Sequence, residues 1–197
     1  MCVKKCKIAL TGGIGTGKTY LSRHFVEMGI PVFYADVEAK KLYQDADFVA
    51  ELSRTFNNVL LPDGTVDLRK MGAIVFADEE KLQTLNKMIH PRVMQMFEEW
   101  AARQSSPTVI METAIVYEGN LTGYFDKIIV ADAPLELRIR RILQRDPHLT
   151  REEVLQRMAR QMPQEEKCSR ADLVICTGET YREALVVSRT IPSTSSR

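Results

Sequence analysis

Few strings constrain a chain as tightly as the one at residues 12–19, Gly-Gly-Ile-Gly-Thr-Gly-Lys-Thr. It fits G-x-x-x-x-G-K-[ST]. With glycine near 7% of residues, chance produces this pattern in fewer than about one chain in a hundred of this length. An apolar run, KIAL at 7–10, precedes it and an amphipathic stretch follows. Strand, glycine loop and helix in that order wrap a polyphosphate. Glycines let the backbone N–H groups across Gly13, Ile14, Gly15, Thr16 and Gly17 turn inward around phosphate oxygens. The helix start adds partial positive charge. Lys18 is expected to reach the β- and γ-phosphates, and the Thr19 hydroxyl to ligate Mg²⁺.

The remaining chain alternates short apolar runs with longer helical patterns. The runs are 7–10, 31–34 (PVFY), 108–111 (TVIM), 127–131 (KIIVA) and 172–176 (DLVIC). Continuous apolar runs of strand length mark strands covered on both faces, hence a parallel sheet. Helices are expected at 18–28, from Glu38, over 79–102 with a break at His90-Pro91, over 134–144, and from Arg151 with Thr150 and Glu153 as a capping box. The fold class is therefore α/β: a three-layer α/β/α P-loop fold with a five-stranded parallel sheet, a helical substrate-binding insertion and a helical lid. Residues 1–44, 106–140 and 169–190 form the expected nucleotide-binding core of one kinase domain. Residues 45–105 are the substrate-binding excursion, 141–168 the lid, and 191–197 a frayed tail.

Composition excludes several classes. Lys and Arg number 27 against 26 Asp and Glu, a net charge of +1, so no global basic field suits nucleic acid. No run approaches the ~20 apolar residues of a membrane-spanning helix. The four cysteines, at 2, 6, 168 and 176, form no C-x-x-C pair and read as ordinary reduced thiols. Cys176, inside its apolar run, is expected to be buried. A cytoplasmic protein with no membrane, nucleic-acid or obligate protein partner is the expectation.

Other residues carry weaker signals. Asp36 closes the second run, at the carboxyl end of a strand, where a carboxylate can take a proton from an attacking hydroxyl. A helix N-cap explains it as well, and the roles are compatible. Arg138, Arg140, Arg141 and Arg145 crowd one segment, and Arg157 and Arg160 follow, a local positive charge that suits a lid neutralising a transferring phosphoryl group or a solvated helix face. Glu112 ends the third run and could hold Mg²⁺ through water, although many strands end in an acid. His90 precedes Pro91, where a packed or capping histidine is the better account and a functional role the alternative. Trp100, Met88, Met94 and Met96 read as core.

Taken in order, these segments resemble the dephospho-coenzyme A kinase family over about residues 7–185. LTGGIGTGKT is similar to the family's LTGGIGSGKS, and Ala35-Asp36 to its alanine-aspartate pair. Residues 63–76 (DGTVDLRKMGAIVF) resemble its G-x-[LIV]-x-R…L-x-x-[LIV]-F segment, and His90-Pro91 its histidine-proline. RILQRD from Arg141 to Asp146 matches R-x-x-x-R-D. Arg157, Gln161, Lys167 and Ala171-Asp172 match its R-[IM]-x-x-Q…K…A-D close. The chain departs at Ala114-Ile-Val-Tyr-Glu118, where the family has P-L-L-[FL]-E, and at Thr177, where the family has an asparagine close to adenine. The resemblance implies ATP-dependent phosphorylation of the ribose 3′-hydroxyl of dephospho-CoA, the last step of CoA synthesis. It implies Asp36 as base, Lys18 on the phosphates, Thr19 on Mg²⁺, and Arg141 and Arg145 acting from the lid. Substrate contacts are implied for Asp36, His90, Glu118 and Arg157. Another small-molecule P-loop kinase, acting on a nucleoside or nucleoside monophosphate, is the alternative. A slow nucleotide switch would need ordered switch loops and a clear acidic residue after the third strand; Glu112 serves poorly there.

Overall fold

The structure, a computed structural model, describes residues 5–178. Cys2, the tail at 191–197 and the last residues of the 169–190 segment lie outside the described residues. The chain divides into two compact units, Met1–Val32 with Gln104–Arg197, and Phe33–Arg103. The five expected strands are present as β1 (Cys6–Thr11), β2 (Val32–Tyr34), β3 (Thr108–Glu112), β4 (Lys127–Asp132) and β5 (Leu173–Cys176). They form one parallel sheet ordered β2-β3-β1-β4-β5.

In the first unit the runs are apolar on both faces because both faces are covered. Ile8, Leu10, Ile110, Ile129 and Ile175 join Leu21 and Phe25 of α1 (Lys18–Glu27) on one side. Ala9, Ile128 and Val130 meet Val116 and Tyr117 on the other. The period-two alternation of β1 and β4 thus divides one continuous run between two cores. Three more helices follow β4: α6 (Leu135–Arg145), α7 (Arg151–Ala159) and α8 (Gln164–Ser169). The first two share a small core of Ile139, Ile142, Leu149 and Val154, against which Ile14 of the glycine loop packs.

The capping box of α7 forms as expected: the Thr150 hydroxyl accepts from the Glu153 N–H at 3.2 Å, and the Glu153 carboxylate accepts from the Thr150 N–H at 2.8 Å. Thr150→Ala removes one half of that pair and is expected to cost about 1 kcal/mol of stability, read as a lowered denaturation midpoint, with Thr150→Ser close to the parent. An unchanged midpoint in the alanine variant would show that the box adds nothing.

The second unit holds α2 (Ala35–Leu42), α3 (Ala46–Thr55), α4 (Leu68–Ala77) and α5 (Glu79–Arg103). Its core includes Phe48, Leu52, Met71, Val75, Leu85, Met88, Met94 and Phe97. Phe33 meets the Phe97 and Trp100 rings at 5.5 and 5.4 Å between centroids.

Three expectations are corrected. Helix α5 runs unbroken through Pro91. The ring faces solvent. On either side of it Leu85, Met88, Val93, Met94 and Phe97 bury one face of the helix. That burial outweighs one lost backbone hydrogen bond, and the Arg92 Nη1 donates to the Met88 carbonyl at 2.9 Å. Asp36 does not cap α2. The extended residue before that helix is Tyr34, so Asp36 lies within the first turn. Cys176 is exposed, because β5 stands at the end of the sheet order and its last residue faces out.

Candidate active site

The glycine loop leaves β1 and enters α1 through Gly17, which takes left-handed φ of 89° as the helix N-cap. Side chains are excluded where the loop is tightest. A Cβ on Gly12 would stand 2.5 Å from the Ala131 carbonyl oxygen, and one on Gly15, with φ of 81°, 2.7 Å from the Arg138 carbonyl oxygen. Both are closer than real contacts, and both neighbours are backbone, which cannot swing aside.

The loop's carbonyls are gripped in turn. The Lys18 ammonium donates to the carbonyls of Gly12 at 2.8 Å and Gly13 at 3.2 Å. Arg138 Nε donates to the Ile14 carbonyl at 3.1 Å, and Arg141 Nη1 to the Gly15 carbonyl at 3.3 Å. In a trans peptide the N–H points opposite the C=O of the same plane. Holding the Ile14 carbonyl against Arg138 therefore turns the Gly15 N–H away from that arginine. The first turn of any helix leaves backbone N–H groups without an intrahelical acceptor, and α1 begins directly after the loop. A glycine loop with held carbonyls that opens into a helix N-terminus is the backbone arrangement that suits a polyphosphate.

Two glutamines take the other early amides. Gln164 Oε1 accepts from the Gly13 N–H at 2.9 Å, and Gln161 Oε1 from the Ile14 N–H at 2.8 Å. Gln164 also donates to the Ala131 carbonyl at 3.0 Å. Arg138 is buried among these groups, and burial pulls its pKa below the ordinary guanidinium value, with Asp132 and Glu165 opposing. Arg138 was legible as one of a cluster. Nothing in the residue type or spacing of Gln164 signalled its contact with the loop.

At the start of α1, Thr19 Oγ1 donates to Glu112 Oε1 at 3.0 Å, and Ser22 Oγ to Glu112 Oε2 at 2.5 Å. Ser22 was not foreseen; its place three residues after Thr19, on the same helix face, was the available signal. A hydroxyl and a carboxylate at a helix start are hard oxygen donors, and Mg²⁺ keeps waters and takes few protein ligands. Thr19 and Glu112 therefore fit that ion. Among the described residues, no three His, Cys, Asp or Glu side chains cluster as an all-protein metal cage.

The arginines of the expected lid segment are divided, with Arg141 and Arg145 on α6. Arg141 makes four hydrogen bonds, to the Gly15 carbonyl, the Thr177 hydroxyl and carbonyl, and the Gly178 carbonyl. Arg145 is 63% exposed in its side chain and grips its neighbour Asp146 at 2.8 Å. Arg157 is exposed on α7. Glu118 accepts from the Lys167 ammonium at 2.6 Å and from the Met162 N–H at 3.1 Å. Lys167 is fully buried and also donates to the Ala114 carbonyl at 2.8 Å. The loop after β3 is thereby fastened to α8, a link that the two motif fragments did not reveal separately.

In the second unit, Asp36 is exposed in the first turn of α2, where the helix dipole favours a carboxylate. His90 is half-buried in α5, and burial pushes its imidazole pKa down, towards the neutral ring. Its Nε2 is buried with no hydrogen-bond partner among the described residues. Two residues on, Arg92 pairs with Glu51 at 2.5 Å and lies 5.3 Å from the centre of the Phe48 ring. A cavity of about 380 Å³ opens beside it, lined by Lys41, Asp45, Arg92, Gln95 and Glu99 among others.

The family model for dephospho-CoA kinase matches residues 6–182. A dephospho-CoA kinase of Bacillus licheniformis is 39% identical over 173 residues, covering 85% of this chain and 86% of its own length. That of Deinococcus radiodurans is 38% identical, covering 86% and 82%. Among solved structures, a crystal structure from Thermus thermophilus superposes with a TM-score of 0.84 at 33% identity, covering 94% of each chain. A shikimate kinase of Acinetobacter baumannii, at TM-score 0.52 and 17% identity over 96% and 97% of the two chains, shares the fold. No helix among the described residues is long and apolar enough to cross a membrane.

Proposed function

The chain belongs to the dephospho-CoA kinase family, and from that premise we propose that it moves the terminal phosphoryl group of ATP to the ribose 3′-hydroxyl of dephospho-CoA, giving CoA and ADP. The observation that carries this reading is the loop at 12–19. Its carbonyls at Gly12, Ile14 and Gly15 are held by Lys18, Arg138 and Arg141, where it runs into the start of α1.

In this reading the Gly15 and Gly17 amides and the start of α1 receive the β- and γ-phosphates, with Lys18 as the mobile charge among them. Thr19 and Glu112 would hold Mg²⁺, Glu112 through water. When bound, that ion supplies positive charge against the phosphate oxygens. Asp36 takes the proton of the ribose 3′-hydroxyl as that oxygen attacks the γ-phosphorus and the bond to the ADP oxygen breaks. Arg145, exposed and paired with Asp146, would turn from that partner toward the phosphates, and Arg157 lies on the same lid. His90 and Glu118 contribute to the acceptor's site, Glu118 while fastened to Lys167. With ATP as its substrate, the reaction belongs in the cytoplasm.

A coupled ADP-release assay with MgATP tests the reading. The acceptors are dephospho-CoA, CMP, AMP, thymidine, adenosine and water alone. Release is expected to require dephospho-CoA, with CoA as product. Turnover on a nucleoside or nucleotide instead would transfer the function to another small-molecule kinase, and acceptor-independent release would favour a slow NTPase.

A further inference from the structure

We infer that Thr177 is a positioning residue for the phosphate loop: its hydroxyl sets the direction of the Gly17 amide and anchors Arg141 against the same loop. The residue follows β5 directly, and its N–H continues the pairing with β4 by donating to the Asp132 carbonyl at 2.7 Å. Both Thr177 and Thr16 are buried, at 1% and 0% exposure. The hydroxyl has one hydrogen and two lone pairs. Its shortest bond, 2.6 Å, runs to the Thr16 carbonyl, so the hydrogen goes there. A lone pair then receives the Arg141 Nη1 at 2.8 Å.

The consequence follows from the peptide plane. Thr16 C=O and Gly17 N–H belong to one trans peptide and point in opposite directions. Fixing the carbonyl on Thr177 turns the Gly17 N–H away from β5. Gly17 is where the loop becomes α1, so this amide joins the donors at the helix start. The approach is close as well: a Cβ on Gly17 would stand 3.0 Å from the Thr177 hydroxyl oxygen. Arg141 meanwhile bridges the Gly15 carbonyl to the Thr177 and Gly178 carbonyls, tying the loop to the segment after β5. Without the hydroxyl, the buried Thr16 carbonyl loses this partner and Arg141 Nη1 keeps only the Gly15 carbonyl. The Thr16–Gly17 peptide then loses the bond that fixes its orientation.

The inference rests on the proposed reading only in that the loop binds the phosphates of ATP. Its test is therefore read first as MgATP affinity by calorimetry, with no acceptor present. Thr177→Val, nearly isosteric, is expected to weaken ATP binding at least tenfold. Thr177→Ala is expected to do the same, and Thr177→Ser to recover most of the affinity. In turnover, the KM for ATP should rise in the valine and alanine variants while that for dephospho-CoA stays within twofold. Should the valine variant not fold, serine and alanine, which differ by that one oxygen, carry the same comparison. Parental affinity in the valine or alanine variant overturns the inference. So does a serine variant as impaired as alanine, because packing by the methyl group would then be the cause. If the parent binds ATP but does not phosphorylate dephospho-CoA, the substrate assignment fails while the affinity comparison stands.

Discussion

Replacing Asp36 by asparagine is expected to leave ATP binding intact and to lower phosphoryl transfer by about 10²–10⁴-fold, the range contributed by a positioned general base. Asparagine keeps the size and shape of the side chain and removes its ability to accept the hydroxyl proton. The local structure makes the substitution clean. The residue before α2 is Tyr34, so the Asp36 carboxylate is not the cap on which the helix start depends. Asp36 is also exposed, so no buried network collapses with it. The change in stability should be limited to the lost charge in the first turn, about 0.3–1 kcal/mol. The loss should therefore fall on kcat, with ATP affinity and melting temperature near those of the parent. Titration calorimetry and single-turnover transfer separate these quantities. An unchanged kcat would remove Asp36 from the mechanism.

What the sequence made legible is what depends on neighbours along the chain. The three central strands announce themselves because burial on both faces leaves few polar positions to confuse the pattern. The glycine loop is legible because positive φ and close backbone approach admit few other residues. Thr150 and Glu153 cap a helix from three residues apart. The misreadings share one cause. Local rules placed a break at Pro91, a cap at Asp36 and burial at Cys176, and in each case the tertiary setting decided otherwise. The deeper part of the site was invisible for the same reason. The Gly13 amide meets Gln164 across 151 residues, the Ile14 amide meets Gln161 across 147, and the Thr16 carbonyl meets Thr177 across 161. Gln164 carries no local signature, and Gln161 was legible only as a match to a family motif. Thr177 drew notice only as a departure from a family motif, and its partners emerge once β5 is paired beside β4.

Lys18→Ala is the second large effect, and it should differ in kind from that of Asp36. In the structure the ammonium braces its own loop through the Gly12 and Gly13 carbonyls. It is the one loop side chain long enough to turn from those carbonyls to phosphate oxygens when ATP arrives. Alanine removes both interactions. A charge-assisted hydrogen bond contributes about 1.5–3 kcal/mol, so ATP affinity should fall by roughly ten- to a hundredfold. Charge accumulating on the β–γ bridge in the transition state then loses a donor that the ground state needed less, which should take a further 10²-fold or so from kcat. Lys18→Arg should rescue little. The planar fork cannot place a compact charge where a flexible ammonium reaches. It also meets a loop whose Ile14 and Gly15 carbonyls already have guanidinium partners in Arg138 and Arg141. Equilibrium ATP binding and pre-steady-state transfer on the same protein distinguish the outcomes. If both parameters stay near parental values in the alanine variant, the loop does not bind phosphate and the chemistry must lie elsewhere in the fold. If kcat falls while ATP affinity is unchanged, Lys18 acts in the transition state alone, and the bracing bonds seen here contribute nothing to the shape of the loop.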